Sequence, residues 1–190
     1  MPINVEETAL KSVLAITPKR FGDERGFFEE TWSARNLEAE GIDLTFVQDN
    51  HSFSATVGTL RGLHFQAPPH AQDKLVRCTQ GAIFDVAVHI RVGSPTYGMW
   101  VGEELSRENG RQLLVPRGFL HGFLTLLPNT EVQYKCTDYY APECDGGVRW
   151  DSVPIAWPLA PGSAPVLSQK DALAVEFSGF LSPFTYEASS

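Results

Sequence analysis

Cysteine is scarce. The chain has three, Cys78, Cys136 and Cys144. No two of them stand in C-x-x-C spacing, and an odd, scattered set argues against a disulfide framework and against a structural zinc site. Three reduced thiols in a reducing compartment are expected. Long apolar runs are missing too: none approaches the ~20 residues that a membrane span needs. The opening Met-Pro-Ile-Asn-Val-Glu-Glu lacks the basic and apolar regions of a signal peptide. These absences lead to the expectation of a cytoplasmic protein with no membrane partner.

Positive charge is also in deficit. Fifteen Lys and Arg face 23 Asp and Glu, giving a formal net charge of −8 and a sequence pI of about 5.1. Such a balance speaks against non-specific nucleic-acid binding, which requires a basic surface. It leaves room for a small anionic ligand held by a local cluster of Arg and Lys. Gly-rich phosphate loops and a G-x-S-x-G elbow are absent. The five histidines are His51, His64, His70, His89 and His121. The His-x-His pair common in metal-binding barrels is missing, because Gln66 follows His64 by two. His64 and His121 remain free to meet in space, but two imidazoles without a third ligand make a weak metal site. No metal and no organic cofactor are expected.

Turn formers are plentiful. Sixteen Gly and 13 Pro in 190 residues favour a β-rich chain over a helical bundle. With 43% apolar content, residues 1–190 are long enough for a single domain with a real core. The first ten residues are acidic and read as an arm or edge strand. Lys11 to Thr17 alternates as a strand does, Phe21 to Gly26 reads as a loop, and Ser33 to Gly41 reads as a short helix with Ser33 as N-cap and Gly41 as its stop. Phe84, Val86, Val88 and Ile90 alternate with Asp85, Ala87 and His89 in the period of two that marks a strand. Lys74–Thr79, Met99–Leu105, Gln112–Val115, Gly122–Leu127 and Glu131–Thr137 are further strands, separated by Gly, Pro and Asn turns. Many short strands at this spacing predict a mainly β barrel or sandwich with a few short helices. Ser168 opens one such helix as N-cap, with Asp171 three residues on.

Polar residues crowd three strand-like stretches: Gln48 to Ser52, Leu60 to Gln66 and Lys74 to Arg77. On a barrel the inward residues of neighbouring strands converge on one cavity. If Leu63 and Phe65 face one side of their strand, His64 and Gly62 face the other. His64 is then either a buried, hydrogen-bonded core residue or a base, and a base needs an acceptor on its second ring nitrogen. Asp171 is a candidate acceptor; equally, it is a first-turn carboxylate favoured by the helix dipole. Lys74 and Arg77 can be read as strand charges that blunt an edge, and Tyr134 as a residue of high β propensity.

Several motifs, in one order from about residue 11 to 175, carry a closer identification. They include Asp23-Glu-Arg-Gly-Phe-Phe28, Phe46-Val-Gln-Asp-Asn-His-Ser52, Leu60-Arg-Gly-Leu-His-Phe-Gln66 and Lys74-Leu-Val-Arg-Cys78. They continue with Phe84-Asp-Val-Ala-Val88, Ser94-Pro-Thr-Tyr-Gly98, Pro116-Arg-Gly-Phe-Leu-His-Gly-Phe123, Tyr134-Lys135, Asp138-Tyr-Tyr140 and Ser168-Gln-Lys-Asp171. Together they resemble the dTDP-4-dehydrorhamnose 3,5-epimerase family of the dTDP-L-rhamnose pathway. The resemblance implies a cupin jelly-roll, a homodimer, a dTDP-sugar substrate and no metal or cofactor. It also implies roles: His64 as base, Asp171 as its orienting partner, Lys74 beside the sugar ketone and Tyr134 as the acid on the opposite face. Arg25, Glu30, Gln48, Asp49, Asn50, Arg61, His121 and Lys170 match positions lining the family's site, and Phe28 is placed to stack on the thymine. Asp145 stands where relatives often carry Glu. Arg117 and His89 stand where acidic residues are expected. The resemblance also leaves three rivals: a relative that inverts only C3 or only C5 or moves the ketone, a non-catalytic sugar-nucleotide-binding cupin, and a metal-dependent cupin oxygenase.

Overall fold

The computed structural model describes residues 2–187. Two antiparallel sheets face each other. The six-stranded sheet runs β1 (Ile3–Glu7), β2 (Leu14–Pro18), β10 (Gln112–Val115), β7 (Lys74–Gln80), β12 (Thr130–Cys136), β5 (Gln48–Ser54). The five-stranded sheet runs β13 (Asp145–Gly147), β6 (Leu60–Gln66), β11 (Phe119–Thr125), β8 (Ala82–His89), β9 (Trp100–Ser106). A separate hairpin pairs β3 (Arg20–Asp23) with β4 (Gly26–Glu29). The helices are short: α1 (Ala34–Ala39) and α2 (Gln169–Ala172). This is the mainly β, cupin-like barrel that the strand spacing and the motifs led us to expect.

Period-two alternation explains where the core sits. Val76 and Cys78 of β7, Ile83 and Ala87 of β8, Phe119 and Phe123 of β11 and Val132 of β12 all join one buried cluster between the sheets. The opposite phase of β8 and β11, Val86, Val88 and Leu120, packs into a second cluster with Val148, Val153, Ile155 and Phe184 from the C-terminal third. Leu75 and Leu114 pack outward against Leu37 of α1. Central strands buried on both faces lose the apolar/polar alternation that marks a strand with one wet face.

Most expected strands occur, with shifted ends. The first long strand begins at Leu14 rather than Lys11, and β11 begins at Phe119, three residues before Gly122. The acidic start is an edge strand paired to β2. Residues 21–26, expected as a loop, are the inner part of the β3–β4 hairpin. The Phe21 and Phe28 pairing across it uses aromatic strand propensity that the turn residues mask in the sequence. Helix α1 stops as expected: Gly41 has φ +79, its N–H donates to Glu38 O, and Ile42 N–H donates to Leu37 O, the paired bonds of a Schellman stop. Ser33 occupies the N-cap, but its side chain makes no capping bond.

Candidate active site

One end of the barrel is filled with apolar side chains, and the other is open and polar. The change happens along single strands. Inward positions of β7 run Cys78, Val76, Lys74, and those of β12 run Val132, Tyr134, Cys136. On β11, His121 lies between Phe119 and Phe123, and on β8 Asp85 lies between Ile83 and Ala87. Two hollows of about 390 and 400 Å³ open here and share His64, Lys74, Tyr134 and Lys170 in their walls. They form one cleft.

A bulge in β6 sets the register. His64 lies opposite His121, but Arg61 lies opposite Phe123, so Gly62 and Leu63 together oppose Gly122. One extra residue changes the phase. Arg61 and His64 therefore both face the cleft, while Leu63 turns into the cluster behind the sheet. Strict alternation pairs His64 with Gly62; the bulge replaces Gly62 with Arg61. The backbone approach requires glycine on both strands. Gly62 has φ +127, and a Cβ there would stand 2.6 Å from Gly122 Cα.

His64 Nε2 lies 2.5 Å from Asp171 Oδ1. Asp171 is fixed by its own helix end: Ser168 caps α2, accepting the Asp171 N–H at 3.1 Å. Burial, to 4% exposure, pushes the Asp171 carboxyl up. Hydrogen bonds from His64 and Ser168 and the N–H of Gly62 outweigh that, and the net shift is downward. The carboxylate is thus ionised and accepts the Nε2 proton, leaving Nδ1 free of hydrogen bonds among the described residues.

Lys74 has no hydrogen bond or ion pair among the described residues. Its Nζ lies 5.9 Å from the centre of the Tyr134 ring. Burial depresses its pKa, against the opposing pull of Cys136, Asp145 and Asp85. The Tyr134 hydroxyl also lacks a partner among the described residues, and burial, followed by the nearby Cys136, raises its pKa. An amine with no ion-pair partner among the described residues and a neutral phenol thus line the same cleft as the His64–Asp171 pair.

His121 Nε2 lies 2.8 Å from Asp85 Oδ1 in the cleft floor. Arg61 donates to Ser54 Oγ at 3.3 Å and to Phe53 O at 3.1 Å. Lys170 pairs with Asp145, so the shorter acid is still within reach. Gln48 donates to Asn50 Oδ1 at 3.1 Å, and both line the second hollow.

Four residues that the resemblance assigns to the site are not in this cleft. Asp49 points to the outer face of β5, where it meets Lys135 at 2.7 Å, because its neighbours 48 and 50 take the inward phase. Arg25 sits at the hairpin turn, paired with Asp23 at 2.5 Å. Phe28 is 60% exposed on β4. Glu30 accepts a hydrogen bond from Asn36 at 2.6 Å. Among the described residues the hairpin strands pair with no other strand, and the last three lie on or beside the hairpin, away from the cleft.

Tyr140 in the cleft wall and Asp85 behind it were given no role by the sequence reading. Tyr140 is 59% exposed, lines the second hollow and donates to Asp145 at 3.3 Å. It stood within the Asp138-Tyr-Tyr140 motif, but a loop aromatic has no period to reveal its direction. Asp85 was visible as the one acid in an apolar strand, which is itself the signal. His64 and His121 do meet as cross-strand partners, yet no group of three or more His, Cys, Asp or Glu among the described residues is arranged to hold a metal ion. No helix among them is long and apolar enough to cross a membrane.

Comparison with known proteins identifies the family. The family profile described as dTDP-4-dehydrorhamnose 3,5-epimerase matches residues 7–178. The dTDP-4-dehydrorhamnose 3,5-epimerase of Sinorhizobium fredii is 52% identical over 168 residues, 87% of this chain and 85% of that protein. Its counterpart from Salmonella typhimurium is 52% identical over 173 residues, covering 90% and 93%. The crystal structure of dTDP-6-deoxy-D-glucose-3,5-epimerase from Legionella pneumophila in complex with dTDP-4-keto-L-rhamnose superposes with a TM-score of 0.92. It shares 45% identity and covers 98% of this chain and 100% of that one.

Proposed function

The chain belongs to the dTDP-4-dehydrorhamnose 3,5-epimerase family of isomerases, and from that premise we propose that it inverts C3 and C5 of dTDP-4-dehydro-6-deoxy-D-glucose, giving dTDP-4-dehydro-L-rhamnose. The observation that carries this reading is the convergence of the His64–Asp171 pair, Lys74 and Tyr134 on one cleft.

The chemistry starts from the C4 ketone. Protons on C3 and C5 are α to it, and removing either leaves an enolate with its charge on O4. Imidazole, with an ordinary pKa of about 6.5, is far too weak to do this unless the enolate is stabilised. Lys74 supplies that stabilisation: an ammonium with no counter-ion among the described residues gains one as charge develops on O4, in a site that needs no rearrangement. His64 takes the proton on Nδ1, and Asp171 holds the ring in that tautomer and stabilises the imidazolium. Inversion requires a proton from the other face. Tyr134, whose raised pKa keeps the phenol protonated at neutral pH, gives it.

The remote nucleotide fixes the sugar against these groups. Arg61 and Lys170 face the diphosphate, and the exposed Tyr140 ring offers a stacking surface for the base. The hairpin suits a homodimer. Phe21, Phe27 and Phe28 are all exposed on a hairpin whose strands pair with no other strand among the described residues, and a second copy would cover them and bring Arg25 and Phe28 to a neighbouring site. We read the chain as one domain working in the cytoplasm without a metal or cofactor. Incubation with dTDP-4-keto-6-deoxyglucose in deuterium oxide, followed by NMR of the product, tests the assignment. Inverted, deuterated C3 and C5 support it; a product inverted at one centre alone replaces it with a single-centre epimerase.

A further inference from the structure

Lys74 opens β7, and the residue just before it carries a buried charge. Asp73 is 5% exposed. Four hydrogen bonds converge on its carboxylate: the Arg117 backbone N–H donates to Oδ1 at 3.1 Å, Arg117 Nε and Nη2 donate to Oδ2 at 2.9 and 2.6 Å, and Thr137 Oγ1 donates to Oδ2 at 2.9 Å. The backbone of Asp73 joins in. Its N–H donates to Thr137 Oγ1 at 2.8 Å, and its carbonyl accepts the Thr137 N–H at 3.1 Å. Arg117 sits on the turn between β10 and β11, and Thr137 directly follows β12. One carboxylate thus ties the start of β7, the end of β12 and the β10–β11 turn together at the open end of the barrel.

This knot borders the reacting groups. Lys74 pairs with Val115 of β10 on one side and Cys136 of β12 on the other. Tyr134 lies two residues before Cys136, in the same phase of β12. The Lys74 side chain makes no hydrogen bond or ion pair among the described residues. The place of its Nζ, 5.9 Å from the centre of the Tyr134 ring, therefore follows from where its backbone stands. Stability alone does not require such a device. A buried ion pair gains little over apolar packing of the same volume, and its best-attested use is to fix register. The Arg117 side chain is also 53% exposed, so solvent screens the pair. What the pair supplies is geometry: a planar guanidinium fork and a backbone N–H hold the carboxylate from two directions. Arg117 stands where the resemblance leads one to expect an acid. An acid there would face the Asp73 carboxylate, so positions 73 and 117 work as a unit.

We propose that Asp73 and Arg117 are positioning residues for the epimerisation: their ion pair fixes the register of β7 against β12 and so sets Lys74 against Tyr134. This inference rests on the epimerase reading above.

The test compares wild type with Arg117→Ala, Arg117→Lys and the double variant Asp73→Ala/Arg117→Ala, which leaves no orphaned charge. Deuterium wash-in at C3 and C5 of the keto sugar is followed well below each melting temperature, and kcat, KM and dTDP affinity are recorded. A displacement of about 1 Å at the reacting groups costs about 10²-fold, so kcat is expected to fall by about that factor in Arg117→Ala and in the double variant. KM and dTDP affinity should stay within about threefold of wild type, because the nucleotide is held elsewhere in the cleft. A folded double variant whose kcat is within about threefold of wild type overturns the inference, whatever its melting temperature, since a purely structural pair behaves in that way. A loss of dTDP affinity as large as the loss in kcat also overturns it, because the whole cleft has then moved. If the alanine variants do not fold, Arg117→Lys decides, as it keeps the charge and loses the fork. A fall in kcat of about tenfold or more at unchanged KM supports the inference, and a smaller fall overturns it. Absence of wash-in by the wild type would instead remove the parent reading.

Discussion

Replacing Lys74 with Met should make the protein slower and more stable at once. The side chain is half-buried, and its amine has no counter-ion among the described residues, with burial as the main cause of its depressed pKa. Methionine keeps the length and the apolar stem and removes the charge. On the catalytic side, two unit charges 4 Å apart interact by about 4 kcal/mol at an effective dielectric near 20. At 1.36 kcal/mol per decade, that corresponds to a loss of about 10³ in the rate of enolate formation. On the stability side, an unpaired buried cation is lost. A relief of about 1 kcal/mol is expected to raise the melting temperature by ~2–4 °C in a chain of this size. The sign is set by linkage. A lysine whose folded pKa is depressed destabilises the native state wherever the folded form is forced to carry the charge. That penalty is full below the folded pKa and vanishes as pH rises to the unfolded value near 10.4. The gain from Lys74→Met should therefore be present at pH 7 and shrink towards pH 10. Calorimetry across this range, with deuterium wash-in at pH 7, measures both effects. A variant that is less stable than wild type at pH 7, or one whose exchange is within tenfold of wild type, would refute the argument that this charge is held unpaired for the reaction.

Tyr134→Phe removes the proposed proton donor on the opposite face without opening a cavity, so net inversion should fall by about 10²-fold or more while wash-in without inversion falls far less; equal losses measured by NMR would argue against a pure acid role. Gly62→Ala places a methyl 2.6 Å from Gly122 Cα at φ +127; we expect destabilisation of at least ~2 kcal/mol in urea titrations, and unchanged stability would show that the bulge tolerates a side chain.

The barrel strands were readable because their burial is periodic. On β7, Leu75 and Arg77 face outward while Lys74 and Val76 face inward, and on β12 Val132, Tyr134 and Cys136 share one phase. Local backbone irregularity was not readable in the same way. The bulge at Gly62–Leu63 depends on a close approach to Gly122, a residue sixty positions away; the isolated Gly62 hints at such an approach but does not name its partner or fix the change of phase. Without the bulge, Arg61 and His64 would lie on opposite faces. The hairpin was hidden by its own turn residues, and its tip residue Arg25 shows how a motif can be recognised while its position in space stays open. Asp171 was ambiguous between helix cap chemistry and catalysis because its backbone and side chain meet different partners: Ser168 accepts its N–H, and its carboxylate meets His64. Asp85 escaped because period-two counting placed it with Ala87 and His89, apart from the apolar phase, whereas that strand is covered on both sides.

The central claim is that the His64 imidazole removes the protons next to the ketone. Deuterium wash-in at C3 and C5 of dTDP-4-keto-6-deoxyglucose, measured for wild type and His64→Ala at matched nucleotide saturation, tests it most directly. The account predicts rapid labelling of both carbons by the wild type and loss of both by His64→Ala, with the fold and dTDP binding retained. Labelling of either carbon by His64→Ala at the wild-type rate would contradict it.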